Sequence, residues 1–170
     1  MDYPTALSCE RRLRDGRTVT IRPIRAEDAA AEKRFFAGLS EEAKRMRFMK
    51  YVREVSPGTL NTFLHVDYDK SMAFVCEAAG EIVGEARYAA TPPAGNCEFG
   101  VVIADAWHKS GIAGLLMASL IDAARHHGFR AMEGLVLREN SAERRFARAL
   151  GFKEQASDEP TCVRVVKALA

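Results

Sequence analysis

The sequence is short of paired cysteines, of long apolar runs and of charge imbalance, and each shortage excludes a class of protein. Its four cysteines, Cys9, Cys76, Cys97 and Cys162, stand far apart, and none falls in a CxxC or Cys/His spacing suited to a metal. Cys76, Cys97 and Cys162 lie in apolar stretches, so they read as reduced thiols packed as small hydrophobes; neither a disulfide nor a metal site is expected. No window approaches the roughly 20 apolar residues needed to cross a bilayer. Met1 to Glu10 carries no basic stretch followed by an apolar run, so a cytoplasmic protein with no membrane partner is expected. Lys and Arg number 25 against 23 Asp and Glu, a net charge of +2, too small for general attraction to nucleic acid. Any anion site must therefore be local. No repeat, linker or low-complexity segment interrupts the 170 residues, of which 48% are hydrophobic and 28% charged. That is the profile of a soluble globular chain, and the length suits one domain spanning residues 1–170.

What is present alternates between hairpins and helices. Leu7 to Ile24 holds two strand-like runs about Asp15-Gly16, a dipeptide suited to a tight turn. Ala26 to Leu39 and Ser40 to Met49 read as helices that bury Phe35, Phe36, Leu39, Met46 and Phe48. Ser40 is placed as an N-cap, with Glu41 and Glu42 in the first turn. Ser56-Pro57 opens a third helix in the same way, since proline suits the first helical position. Ser71 to Ala78 and Glu81 to Thr91 form a hairpin about Ala79-Gly80, followed by a strand over Asn96 to Ala104. Lys109 to His127 is a helix apolar over most of its girth, stopped by Gly128. Arg130 to Leu137 is a strand, Ser141 to Leu150 a helix, and Phe152 to Gln155 with Cys162 to Lys167 the closing strands. This order predicts an α/β (α+β) domain with a mixed sheet and helices on both faces.

Trp107 to Gly114 joins a strand to the buried helix, so the first free N–H groups of that helix form a natural anion site. Helix starts favour Asp or Glu by roughly 0.3 to 1 kcal/mol, yet this one carries His108 and Lys109, an inversion that suits a bound phosphate. Gly111 and Gly114, with Ala113 between them, would let a ligand approach the main chain; the same small residues would equally serve close helix packing. There is no GxxxxGK(S/T) and no complete GxGxxG, so nucleoside-triphosphate and nicotinamide sites are not expected.

At these residues the sequence resembles the GNAT acyltransferases, whose pyrophosphate motif Gln/Arg-x-x-Gly-x-Gly/Ala stands here as His108-Lys109-Ser110-Gly111-Ile112-Ala113, with histidine in the first place. Asn140 and Ala149-Leu150-Gly151-Phe152 resemble the second half of that family. A closer resemblance, covering the chain from the first hairpin to Phe152, is to the GNAT domain of bacterial Pat-type protein-lysine acetyltransferases. It rests on Val19 to Arg25, Leu39-Ser40-Glu41-Glu42, Arg47-Phe48, Val66-Asp67-Tyr68-Asp69, Glu98-Phe99, Asn140 and Leu150-Gly151-Phe152. The resemblance implies the GNAT fold, with a mixed, mostly antiparallel sheet, and acetyl-CoA as acyl donor. Its pyrophosphate would rest on the backbone from His108 and Lys109 through Ser110, Gly111, Ile112 and Ala113 to Gly114. The pantetheine would meet main-chain groups of Val101, Val102 and Ile103, and Asn140 would contact the cofactor.

Acylation needs a neutral amine, and a lysine with a pKa of about 10.4 is almost wholly protonated near pH 7. Glu98 is the only acid in Cys97 to Ile103 and shares a strand face with Gly100 and Val102. Gly100 would leave a gap there for substrate or water. The Pat-type proteins carry their catalytic glutamate at the matching position, which assigns Glu98 as general base; an exposed or ion-paired strand glutamate is the plainer reading. Family members often place a tyrosine acid where this chain has Ala147. Asn140 with Glu143 also reads as a helix cap with a reciprocal partner. Arg144, Arg145 and Arg148 form a basic helix face that either meets solvent or reaches the 3′-phosphate of CoA. His126 and His127 complement a helix C-terminus, and Tyr68 and Tyr88 either line an acceptor pocket or pack in the core. The function expected is acetyl transfer to a protein lysine. The alternatives are acetylation of a polyamine, amino acid or antibiotic, a silent acyl-CoA sensor, and a nucleic-acid module that the near-neutral charge disfavours. A homodimer is compatible with these features.

Overall fold

The computed structural model describes residues 2–49 and 54–170. Its strands are β1 (Cys9–Arg12), β2 (Thr18–Pro23), β3 (Ser71–Ala78), β4 (Glu81–Thr91), β5 (Asn96–Ile103), β6 (Ala131–Leu137), β7 (Lys153–Gln155) and β8 (Cys162–Ala168). Its helices are α1 (Ala29–Ala37), α2 (Glu41–Phe48), α3 (Pro57–Leu64), α4 (Ile112–His126) and α5 (Ser141–Ala149). The strands form one eight-stranded sheet in the order β1-β2-β3-β4-β5-β6-β8-β7. Every neighbouring pair is antiparallel except β5 and β6. The mixed, mostly antiparallel sheet expected from the sequence is the one observed.

Alternation along the strands divides the core in two. Phe74, Cys76, Tyr88 and Cys97 face α4 and pack on its Ile112, Leu116, Met117 and Leu120, all of them buried. Ala73, Val75, Ile82 and Val102 face the other way, onto Phe35, Phe36 and Leu39 beside Leu64 of α3. Gly84 lets α4 close on β4, for a Cβ there would stand 2.9 Å from Ile103 Cδ1 and 3.1 Å from Leu116 Cδ1. Burial pushes the thiols of Cys76 and Cys97 up to about 12, so these side chains are packing groups at neutral pH.

The caps lie where the sequence places them. Ser40 Oγ accepts from Ala43 N at 3.1 Å, and Ser56 Oγ accepts from Thr59 N at 3.1 Å. Ala79 and Gly80 both take positive φ, 50° and 81°, as the β3–β4 hairpin requires. Three expectations change. The Ala26 to Leu39 helix is a 3-10 turn over Ala26–Asp28 followed by α1, because Asp28 is held by Arg22 at 2.8 Å through both carboxylate oxygens. In the first hairpin only Gly16 is left-handed (φ 90°), and the loop is closed from Leu13 to Arg17 rather than by a two-residue turn. The helix expected from Lys109 begins at Ile112, since Lys109 and Gly111 both have positive φ, 63° and 92°, which a right-handed helix excludes.

A charged layer is sealed between α1 and β4. Glu32 is 0% exposed and Glu85 1% exposed, and Arg87 Nε donates to Glu85 Oε1 at 2.8 Å while its guanidinium lies 3.8 Å from the centre of the Phe63 ring. Burial and the Glu85 charge push Glu32 up to about 10. Burial also works against ionising Glu85, but the Arg87 charge and the Arg87 hydrogen bond outweigh it and hold Glu85 low. The pair thus keeps one proton, on Glu32. A carboxyl raised in the folded state stabilises most below its ordinary value of 4.5 and loses that contribution as pH climbs through about 10. Glu32→Gln, neutral at every pH, should therefore fold normally near neutrality. Its melting temperature should rise relative to the native protein as pH is taken upward through that window. Thermal melts across the pH series check this, and a parallel pH dependence in both proteins would contradict it.

Candidate active site

The site begins where two strands part. β5 and β6 pair only through Asn96↔Ala131, Cys97↔Met132 and Glu98↔Glu133, and beyond Glu98 they diverge. The Phe99 ring lies across Gly134, where a Cβ would stand 2.6 Å from the ring edge, and packs 5.0 Å from the Phe152 ring centre. This ring packs at the root of the fork.

On its other edge β5 stays paired with β4. Ala104 N donates to Val83 O at 2.9 Å, and the alternation of an antiparallel ladder then turns the main-chain groups of Val102 toward β4 and those of Val101 and Ile103 into the fork. Of the three residues expected to offer main-chain groups, Val101 turns both of its groups, and Ile103 its amide, toward the fork, the Ile103 carbonyl being met by His108 Nε2. Val102 lines the cleft, but its amide and carbonyl belong to the ladder.

A cleft of about 830 Å³ occupies the fork, lined by Val101, Val102 and Ile103, by Arg47 and Met46 of α2, by Asn140, Glu143 and Phe146, and by His108, Lys109, Gly111, Ala113 and Gly114. At the start of α4 the first amide to bond back is Leu115, to Gly111 O at 3.4 Å. Among the described residues, the amides of Ala113 and Gly114 have no acceptor, and a Cβ on Gly111 or Gly114 would meet nothing within 4 Å. The small residues therefore face the cleft, not a helix neighbour, and the donors suit a pyrophosphate. Ser110 and Ile112 stand apart from the cleft: the Ser110 hydroxyl donates to Trp107 O at 2.6 Å, and the Ile112 side chain is 1% exposed in the core. His108, in the first place of the motif, brings Nε2 to 3.1 Å from Ile103 O and ties the turn to the end of β5. The Arg17 guanidinium lies 3.9 Å from the Trp107 ring centre and fastens the first hairpin to the same turn.

Glu98 is exposed and lines a second, smaller pocket of about 250 Å³ with Glu133, Asp158, Glu159 and Arg164. Arg164 pairs with Glu133. The gap expected over Gly100 is filled. A Cβ there would stand 2.7 Å from Arg47 Cζ, whose guanidinium also lies 5.2 and 5.4 Å from the ring centres of Phe48 and Phe63. Burial lowers the Arg47 pKa and Arg87 adds to that; Glu85, Glu143 and Glu98 oppose it. Sequence reasoning met Arg47 only inside a motif, because nothing local says that α2 will lay it across a glycine of β5.

Asn140 does cap α5: its Oδ1 accepts from Glu143 N at 3.2 Å, and its Nδ2 donates to Glu143 Oε2 at 2.9 Å. Arg144 is not a free phosphate ligand, since it forms a two-pronged pair with Glu154 at 2.9 Å on each arm. Arg145 and Arg148 remain exposed. His127 Nδ1 lies 2.9 Å from Tyr88 Oη, and the hydroxyls of Tyr68 and Tyr88 donate to Ile24 O and Asp69 O. The two tyrosines are packing groups. Among the described residues no three His, Cys, Asp or Glu side chains are disposed to hold a metal, and no helix is long and apolar enough to cross a membrane.

Comparison with known proteins agrees with this geometry. The acetyltransferase (GNAT) domain family matches residues 18–153. Acetyltransferase PA5475 of Pseudomonas aeruginosa is 41% identical over 162 residues, covering 93% of this chain and 87% of that protein. The crystal structure of the GNAT domain of S. lividans PAT superposes with a TM-score of 0.92 at 27% identity, covering 98% of this chain and 99% of that one. The structure of yncA from Salmonella typhimurium, solved with acetyl-CoA, shares the fold with a TM-score of 0.74 at 20% identity over 89% of this chain and 94% of its own. The chain belongs to the GNAT acetyltransferase family. It is an acetyl-CoA-dependent N-acetyltransferase.

Gly114→Leu would send a side chain into the cleft from a helix position where glycine itself costs up to about 1 kcal/mol. Acetyl-CoA affinity should fall by at least about tenfold, or 1.4 kcal/mol, with no loss of melting temperature. Calorimetric titration and a thermal melt measure the two, and an unchanged dissociation constant would remove this turn from the cofactor site.

Proposed function

We propose that the acceptor is the ε-amine of a lysine presented by a protein, and that Glu98 is the general base that deprotonates it. The observation that carries this reading is the position of Glu98: the last residue of the β5–β6 pairing, exposed, and at the point from which the fork opens. On one side lies the cofactor cleft; on the other, four carboxylates (Glu98, Glu133, Asp158 and Glu159) face one guanidinium, Arg164. Such a pocket draws in a cation. The amine then loses its proton to Glu98, directly or through one water, and attacks the acetyl carbon. The Val101 or Ile103 amide, turned into the fork, would polarise the thioester carbonyl. The resemblance to the GNAT domain of S. lividans PAT favours a protein acceptor over a free polyamine, amino acid or antibiotic. Four free thiols, three of them buried, fit a cytoplasmic setting.

Replacing Glu98 by Gln should lower kcat by about 10²- to 10⁴-fold and leave the acetyl-CoA dissociation constant unchanged. Steady-state kinetics with a calorimetric control checks this; full turnover at saturating substrate would remove Glu98 from the role. Acetylation of a protein panel and of a metabolite-amine panel checks the acceptor, and transfer confined to metabolites would assign a small amine instead.

A further inference from the structure

The cofactor cleft holds a second carboxyl group that amine deprotonation does not use. Glu143 stands in the first turn of α5 and lines the cleft beside Asn140 and Phe146. Its Oε2 accepts from Asn140 Nδ2 at 2.9 Å, and among the described residues no hydrogen bond reaches its Oε1. The amide of Asn140 thus holds the carboxyl in one orientation and leaves one oxygen free. Ala147, one turn further along the same helix face, has nothing to donate.

The charges around Glu143 are few. From α2 comes Arg47, held over Gly100, and Glu42 at the cleft margin. From the turn before α4 come Asp105, His108 and Lys109. On α5 itself Arg144 is occupied by Glu154, while Glu98 and Glu85 act on Arg47. Burial pushes Glu143 up to about 7, with Arg47 pulling the other way. A carboxyl so placed holds its proton through a good part of the neutral range and can still release it.

We propose that Glu143 is the general acid of the reaction, delivering its proton to the sulfur of the departing CoA. When the tetrahedral adduct collapses, the carbon–sulfur bond breaks and its electron pair leaves on sulfur. The Glu143 O–H bond breaks, the proton passes to that sulfur, and free CoA thiol is formed. Glu143 is left as a carboxylate, stabilised by Arg47 and by the Asn140 amide, and is reprotonated from solvent. This rests on acetyl transfer itself, not on Glu98 or on the nature of the acceptor.

The test is the ratio of native to Glu143→Gln turnover as a function of pH, with acetyl-CoA and one amine acceptor both saturating. Glutamine keeps the length, the α5 amide and an oxygen for Asn140, and the ratio cancels the ionisation of the amine. A ratio of about 10² or more below pH 7, falling about tenfold per pH unit above it, is the expected result. Glu143→Asp, which keeps a carboxyl on the same turn, should give an intermediate rate and a displaced alkaline limb. A ratio that is the same at every pH, or loss of acetyl-CoA binding in both variants, would make Glu143 a structural or binding residue and overturn the proposal. Glu98→Gln in the same assay tests the base separately, since its outcome leaves the native to Glu143→Gln ratio untouched.

Discussion

The parting of β5 from β6 is the constraint on which the site depends. A buried strand edge must satisfy its amides and carbonyls, and beyond Glu98 the neighbouring strand no longer does so for β5. The Phe99 ring over Gly134 keeps the two strands from closing, while pairing with β4 along the other edge keeps β5 straight. What results is a row of outward main-chain groups that an extended, amide-bearing chain can pair with. The α4 amides beyond it suit the phosphates at the end of such a chain. A cofactor laid along it would substitute for a missing strand.

Charge is distributed about the fork in a graded way. The Glu32–Glu85–Arg87 layer is sealed and fixed; Arg47 lies between that layer and the cleft; and Glu98 and Glu143 stand on the two sides of the opening. Arg47 is electrostatically coupled to Glu85, Glu98 and Glu143 together. It therefore links the buried Glu32–Glu85–Arg87 layer to the two carboxyl groups proposed to handle protons. Its seat exists because residue 100 has no side chain.

Much of this was legible in the sequence, for reasons that are local. Hairpin residues such as Ala79-Gly80, the caps Ser40, Ser56 and Asn140, and the apolar girth of α4 act through neighbours a few residues away, and each specified its element. The open turn at the start of α4 was legible as well, through Gly111 and Gly114, whose Cβ positions face empty space. What was not legible depends on distant packing. The left-handed Lys109 shortened α4, the β4 ladder withdrew Val102 from the fork, and Glu154 took Arg144. The occupation of Gly100 by Arg47 brought a residue from α2 to a strand far away in sequence. Glu143 was read as the partner in a cap, and so it is. Its place in the cleft required knowing which face of α5 turns toward the cleft that β5 also lines.

The central claim is that the cofactor pairs with the free edge of β5 and the first turn of α4. Residue-resolved amide hydrogen exchange, with and without acetyl-CoA, tests it most directly. The account predicts that the amides of Val101, Ile103, Ala113 and Gly114 exchange readily in the free protein and become protected on binding, while that of Val102, bonded to β4, changes little. Acetyl-CoA binding with no protection at Val101 and Ile103 would contradict it.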